Sequence, residues 1–327
     1  MNQIRWAIVG TGNIARQFAE GMREAPDAVL SAVVSRSEAS GRAFAAQFGC
    51  DQVYTDYTQL LESGQVDVVY LGLPNHRHFP YILEALEHRV AVLSEKPMVD
   101  NRRQLDQVLE KAREKQVFLM EGMWTRCFPA VQTAKSWLAQ GKIGRPLSLR
   151  ASFSFLLEEE NAWRFESAAA GGALRDVGIY PLAMAYLVFP EGPQQVHATV
   201  RTNGQVDLSC HMLLEYSDGR AALLSGAFDQ LSGTEAEIVG ETGRIVIGPE
   251  FWRPTTVTRY GNDGAREEFT LPYPATGFQY EIAQVNQCLR EGLLECPLFT
   301  HRETEQISDL IEDIRLRCGI RYPTDEA

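Results

Sequence analysis

Two periodicities alternate along residues 1–121. Apolar runs of strand type occupy residues 4–9, 28–34, 66–73 and 90–94, with 118–120 as a last strand. Helical spacing of apolar positions fills the gaps, at 14–23, 38–48, 56–62, 78–87 and 101–115. Strand and amphipathic helix in alternation predict a parallel sheet with helices on both faces.

The pattern changes after residue 122. Helical spacing over 124–139 stops at Gly141 and Gly144-Arg145-Pro146, and 147–155 alternates as a strand. A polar run at Glu158-Glu159-Glu160 reads as a solvated loop, and Gly171-Gly172 precedes a helix over 176–189. From 195 to 271 short strands are separated by turn signals at Asn203-Gly204, Ser217-Asp218-Gly219, Glu241-Thr242-Gly243 and Asn262-Asp263-Gly264. That spacing predicts a large, mostly antiparallel sheet. Closing helices are expected over 279–291 and 303–316. The chain therefore divides into an α/β domain at 1–121 and an α+β domain at 122–327. Residues 208–214 and 221–228 put apolar side chains on both faces of the second sheet. One face takes helices; the other is expected to meet a second subunit, unless more helices of the same chain cover it.

Composition adds exclusions. A formal net charge of −12 disfavours nucleic acid, whose affinity comes from neutralised phosphates. No apolar run approaches the ~18 residues of a membrane span. The start of the chain runs straight into a strand and lacks the basic, apolar and small-residue regions of a secretory leader. Six cysteines without metal-type spacing read as reduced thiols of a cytoplasmic protein.

Candidate chemistry begins at Gly10-Thr11-Gly12-Asn13-Ile14-Ala15. It follows a strand and opens a helix, the context of a dinucleotide fingerprint in a Rossmann domain. Gly10 permits the tight turn, Gly12 admits the pyrophosphate, and Ala15 allows close helix–strand packing. The helix N-terminus supplies amides for the phosphates. The second strand ends at Ser35-Arg36-Ser37, where an NAD site usually carries Asp or Glu. A guanidinium and two hydroxyls suit a 2′-phosphate and predict NADP; Glu38 is the alternative ribose contact. Leu73, Pro74 and Asn75 close another strand on the cofactor's side, and His78 caps or lines the cleft. His76 and His78 lack a third ligand, so no metal is expected.

Ser94-Glu95-Lys96-Pro97 ends a buried strand, at the carboxyl edge where a doubly wound sheet meets its ligand. Lys96 there can polarise a substrate oxygen or shuttle its proton, with Glu95 pairing to it or supporting the loop. Asp176 and Tyr180 are four apart and project from one helix face. Spacing alone leaves Tyr180 either a proton carrier or a packed core ring.

Glu95-Lys96-Pro97 and Gly171-Gly172-x-Leu174-x-Asp176-x-Gly178-Ile179-Tyr180 resemble the signature motifs of the Gfo/Idh/MocA oxidoreductases. Gly10–Ala15, Pro74-Asn75-x-x-His78 and Trp163-Arg164 also fit that family. Tyrosine in place of the histidine of inositol-type members resembles the dihydrodiol dehydrogenase and NADP-dependent D-xylose dehydrogenase branch. Residues 118–130 resemble it too. The resemblance implies catalytic Lys96 and Tyr180, with Tyr180 as acid/base and Asp176 orienting the substrate. It also implies NADP and a dimer through the C-terminal sheet; Arg126 and Arg164 could bind substrate hydroxyls or the cofactor's carboxamide, with solvated ion pairs as the alternative. Trp124, Arg126, Phe153 and Trp163 are candidates to line a sugar or diol pocket. The rival readings are an NAD-dependent polyol dehydrogenase and a non-catalytic NADP sensor.

Overall fold

The computed structural model describes residues 3–158 and 163–325. Glu159 and Glu160 of the expected solvated run lie outside them. The chain forms two compact units. One is Met1–Trp124 with Tyr273–Thr304, the other Thr125–Pro272 with Glu305–Ala327.

The first unit is built on six strands: β1 (Ile4–Val9), β2 (Ala28–Val34), β3 (Val53–Tyr54), β4 (Val68–Leu71), β5 (Ala91–Glu95) and β6 (Leu119–Gly122). All pair in parallel, in the order β3-β2-β1-β4-β5-β6. That order reverses direction between β1 and β4, which opens a ligand crevice at the carboxyl ends of the strands. Helix α1 (Asn13–Met22) follows β1, and α2 (Glu38–Phe48) follows β2. Helix α2 starts cleanly because the Ser37 hydroxyl caps it, accepting from Ser40 N–H. The two-residue β3 is too short to leave a periodicity and goes unpredicted.

The sequence division places 122–327 in one domain, whereas Tyr273–Thr304 packs into the first unit. Aromatic and polar contacts draw it there. Phe278 lies 5.5 Å from Phe18 and stacks on Trp124, and Asn286 accepts from the Trp6 indole at 2.9 Å. An added Cβ on Gly21 would stand 2.7 Å from Phe278 Cβ, so α1 meets this helix backbone-close.

The second unit carries β7 (Pro146–Ser154), β8 (Gln195–Thr202), β9 (Asp207–Glu215), β10 (Ala221–Ala227) and four further strands in one eight-stranded sheet. Its pairs are antiparallel except β7 with β10. One helix was expected over 124–139; the structure has a 3-10 turn at Trp124–Cys127 and then a helix at Pro129–Ala139. Phe128 is extended, as a residue before proline must be, and Pro129 restarts the helix.

Cys210, Met212 and Leu214 of β9 and Ala222 and Leu224 of β10 are buried. On the opposite face Leu223 is 52% exposed, beside a groove of about 820 Å³ that includes Arg150, Thr199, His211 and Leu213. Among the described residues no helix is long and apolar enough to cross a membrane. None of the six cysteines is joined in a disulfide.

Candidate active site

The turn after β1 has the geometry of an anion cradle. Gly10 sits at φ +101°, and a Cβ there would meet the Gly72 carbonyl oxygen at 2.6 Å. Ala15 is fully buried, 3.3 Å from where a Cβ on Gly72 would stand. Gly12, by contrast, faces open space, with Asn13 beside it at the surface and Thr11 and Ile14 half-buried. Among the described residues no side chain caps α1 and no acid stands in its first turn. Its first amides and the positive end of its dipole are left for an anion. These features fit a dinucleotide pyrophosphate.

At the end of β2, Ser35 is buried and its Oγ accepts from Ser37 N–H at 3.4 Å. Arg36 is exposed, and among the described residues no carboxylate pairs with it. Glu38, the alternative ribose contact, is ion-paired to Arg42 at 2.6 Å. That arrangement leaves the positive charge of Arg36 facing outward next to the cradle's strand.

Past β4, Leu73 is half-buried, Pro74 exposed and Asn75 buried. His78 is fully buried, with its ring nitrogens 2.9 Å from the Leu73 carbonyl and 3.0 Å from the Pro97 carbonyl. It thus stitches two loops together rather than pointing to solvent. At the end of β5 the Glu95 carboxylate accepts from the Tyr70 hydroxyl at 2.7 Å and from the Lys96 amide at 3.2 Å. Lys96 is half-buried, and Pro97 follows it through a cis peptide bond. The Met98 amide donates to Glu121 at 2.8 Å. Two buried carboxylates on β5 and β6 therefore fix the backbone on either side of Lys96–Pro97. Tyr70 and Glu121 escape sequence reasoning, since inside apolar strands they read as core positions.

The second unit holds the other predicted group. Asp176 is 9% exposed and pairs with the Arg164 guanidinium at 2.7 Å. Arg164 in turn lies over the Trp163 ring at 4.7 Å. Asp176 and Tyr180 were expected on one face of an α-helix. Leu174–Gly178 is instead a π-helical turn leading into the helix α3 (Ile179–Val188). The wider turn carries one extra residue and alters the offset between the two side chains. Crowding on β10 accompanies it, because a Cβ on Gly226 would sit 2.8 Å from the Gly178 amide.

Tyr180 is 7% exposed, with its ring 5.3 Å from Phe153. Phe153 stacks flat on Trp252 at 3.6 Å. Trp252 lies in a loop with no periodicity, so nothing in its neighbourhood announces it. Arg126 is buried and donates to the Ala183 carbonyl at 2.8 Å, bracing the helix that bears Tyr180. Trp124 is buried in the first unit, stacked on Phe278 at 4.4 Å. Among the described residues no group of three or more His, Cys, Asp or Glu is placed to hold a metal.

Two family models cover most of the chain. An oxidoreductase-family model with an NAD-binding Rossmann fold matches residues 4–123, and a GFO/IDH/MocA C-terminal-domain model matches 131–246. The chain belongs to the Gfo/Idh/MocA oxidoreductase family. It is an NAD(P)-dependent dehydrogenase of that family. It is 32% identical over 338 residues to trans-1,2-dihydrobenzene-1,2-diol dehydrogenase of Bos taurus, and 31% identical over 337 residues to that of Homo sapiens, with 99% of each chain covered in both cases. Among solved structures, a 3-ketoreductase from Actinomadura kijaniata with NADP and TDP-benzene superposes with a TM-score of 0.84 at 28% identity. That match covers 96% of this chain and 98% of the other. An aldose-aldose oxidoreductase from Caulobacter crescentus shares the fold, with a TM-score of 0.88 at 22% identity over 97% and 98% of the two chains. Lys96 lies within the span matched by the first family model and Tyr180 within that matched by the second.

Proposed function

We propose that the chain is an NADP-dependent oxidoreductase that moves a hydride between the nicotinamide and a carbinol or carbonyl carbon of a sugar or a trans-dihydrodiol. The observation that carries the cofactor choice is Arg36 at the end of β2, with Glu38 engaged by Arg42. The relatives named for a trans-dihydrodiol and the 3-ketoreductase solved with NADP support the substrate class. Solved variants of that reductase replace one lysine and one tyrosine, which stand at the same separation along its chain as Lys96 and Tyr180 do here.

A bound nicotinamide nucleotide supplies the hydride acceptor or donor. The Gly10–Ile14 turn holds its pyrophosphate, Ser35, Arg36 and Ser37 its 2′-phosphate, and Leu73, Pro74 and Asn75 its far half. Lys96 holds the substrate oxygen through its charge, and Tyr180 carries the proton. Asp176, steadied by Arg164, orients the substrate hydroxyls. Phe153 and Trp252 offer an aromatic wall to a sugar or diol ring. We assign a second copy of this chain to the sheet face that bears Leu223, which makes the protein a homodimer.

The test pairs binding with turnover. NADPH and NADH are titrated in parallel, and aldoses and trans-diols are screened with NADP. Arg36→Ala is expected to weaken NADPH by roughly tenfold or more, the scale of a lost charge-assisted hydrogen bond, and to leave NADH alone. Tyr180→Phe is expected to cut turnover about 10²–10⁴-fold at unchanged NADPH affinity. Equal loss of both cofactors in Arg36→Ala would move the reading to an NAD-type polyol dehydrogenase. Tight NADPH binding without turnover across the panel would leave a sensor.

A further inference from the structure

Asp207 opens β9 and is 1% exposed, an expensive place for a carboxyl. Its surroundings explain why it is there. The Leu174 amide donates to Oδ2 at 2.5 Å, and the Ala173 amide also bonds it. Those are the first amides of the π turn, which has no other side-chain cap among the described residues. Gly172, at φ +114°, is the residue that lets the carboxylate in, since a Cβ there would lie 2.3 Å from Oδ1. Arg175 on the turn pulls on it electrostatically, and the Asp207 charge in turn reaches Cys210 on β9 and Cys318. Behind them the Tyr322 hydroxyl donates to the Gly171 carbonyl at 2.6 Å. The Tyr322 ring lies under the guanidinium groups of Arg175 and Arg315, and Arg315 is paired to Asp325.

We propose that Asp207 is a positioning residue whose ionised carboxylate anchors the start of the segment carrying Asp176 and Tyr180, so that protonating it loosens that segment and slows the reaction. The slowing rests on Tyr180 acting as the proton carrier; the anchoring stands on Asp207 alone. Burial, the largest influence, raises its pKa to about 6, against the pull of the backbone amides and Arg175. For stability the sign runs the other way. A carboxyl with a raised folded pKa contributes most below its unfolded value of about 3.9, and that contribution fades as pH rises through about 6. Acid therefore slackens the site without weakening the fold through this group.

Two readouts test the proposal. In the native protein, hydrogen exchange at residues 173–174, corrected for intrinsic rate, is expected to lose protection between pH 7.5 and 5, and kcat to fall over the same window. In Asp207→Asn, kcat at pH 7.5 is expected to drop about 10-fold or more, the scale of hydrogen bonds to a charged group. Its acid limb is expected to disappear while NADPH affinity holds. Flat amide protection in the native protein overturns the anchor, even if the variant fails to fold. An acid limb that survives unchanged in Asp207→Asn overturns the coupling to chemistry. Absence of any turnover in the native protein defeats the catalytic role of Tyr180 and, with it, the slowing, but leaves exchange to judge the anchor.

Discussion

Gly10 and Gly171 occupy equivalent predicaments in the two units. Each sits where a Cβ would strike a backbone carbonyl, that of Gly72 at 2.6 Å and that of Arg164 at 2.3 Å. Their settings differ in range. The turn at Gly10 lies within one short motif, and its purpose is visible there: a positive φ, an open face at Gly12 and an uncapped helix behind it. The turn at Gly171 and Gly172 is held from outside, by Arg164 upstream, Asp207 on β9 and Tyr322 near the end of the chain. A cradle for an anion needs only backbone amides, so a contiguous segment suffices. A side-chain constellation that must hold a proton carrier in one orientation needs a shell, and a shell is assembled from distant segments.

The sharpest way to break this contrast is to add one methyl group in each place. Gly10→Ala combines a strained φ, which costs roughly 1–3 kcal/mol, with a backbone clash in the cradle. NADPH affinity is expected to fall at least about tenfold, since 1.4 kcal/mol is a factor of ten. Gly171→Ala is expected to abolish most turnover while NADPH binds within about twofold of native, because the disturbed carbonyl lies in the second unit. Fluorescence titration and steady-state kinetics separate the two. If both variants lose NADPH equally, the division of labour between the turns is wrong.

A smaller effect is expected on the exposed face of the second sheet. Leu223 of β10 is 52% exposed, and Leu231 in the loop after that strand 74%, whereas β10 buries Leu224 and β9 buries Met212 on the inner face. Leu223→Glu places a charge at the proposed subunit contact and, by two-fold symmetry, a second one opposite. Sedimentation is expected to show a dimer in the native protein and mostly monomer in the variant. The unfolding of the monomer is expected to shift by no more than about 0.5 kcal/mol, as for an ordinary surface change. A native protein that sediments as a monomer would leave that face without the assigned occupant.

These contrasts also explain what the sequence disclosed. Strand and helix alternation through residue 122 was legible, the two-residue β3 excepted, because the other elements each carry an apolar period of their own. The cofactor turn was legible for the same reason. The π turn was not, because the crowding of Gly178 by Gly226 on β10 leaves no local trace. The return of Tyr273–Thr304 to the first unit was hidden likewise, since an amphipathic helix shows that it has a partner but not which one. Trp252 beneath Phe153, and Glu95 fastened to Tyr70, are contacts between segments that sequence spacing treats as unrelated.

Glu281 tests that last point from the energetic side. It lies on the helix Phe278–Arg290, is fully buried, and its two carboxyl oxygens have no hydrogen-bond partner among the described residues. Burial, then repulsion from Glu95, pushes its pKa well above the usual carboxylate range. A folded value above the unfolded one means that its stability contribution is complete below about pH 4.3 and is lost as pH rises toward the folded value. Glu281→Gln removes the titration and keeps the shape. Thermal unfolding from pH 5 to 8 is then expected to show the variant gaining on the native protein as pH rises. The slope is bounded at about 1.4 kcal/mol per pH unit for a single proton. A gap that stays constant with pH would mean that Glu281 is ionised in the folded state and paired in some way the first unit does not show. The contrast with Asp207 is then direct. Both carboxyls are buried, but Asp207 is met by backbone amides at the start of a turn, whereas Glu281 has no hydrogen-bond partner among the described residues and burial and the Glu95 charge both push its pKa up.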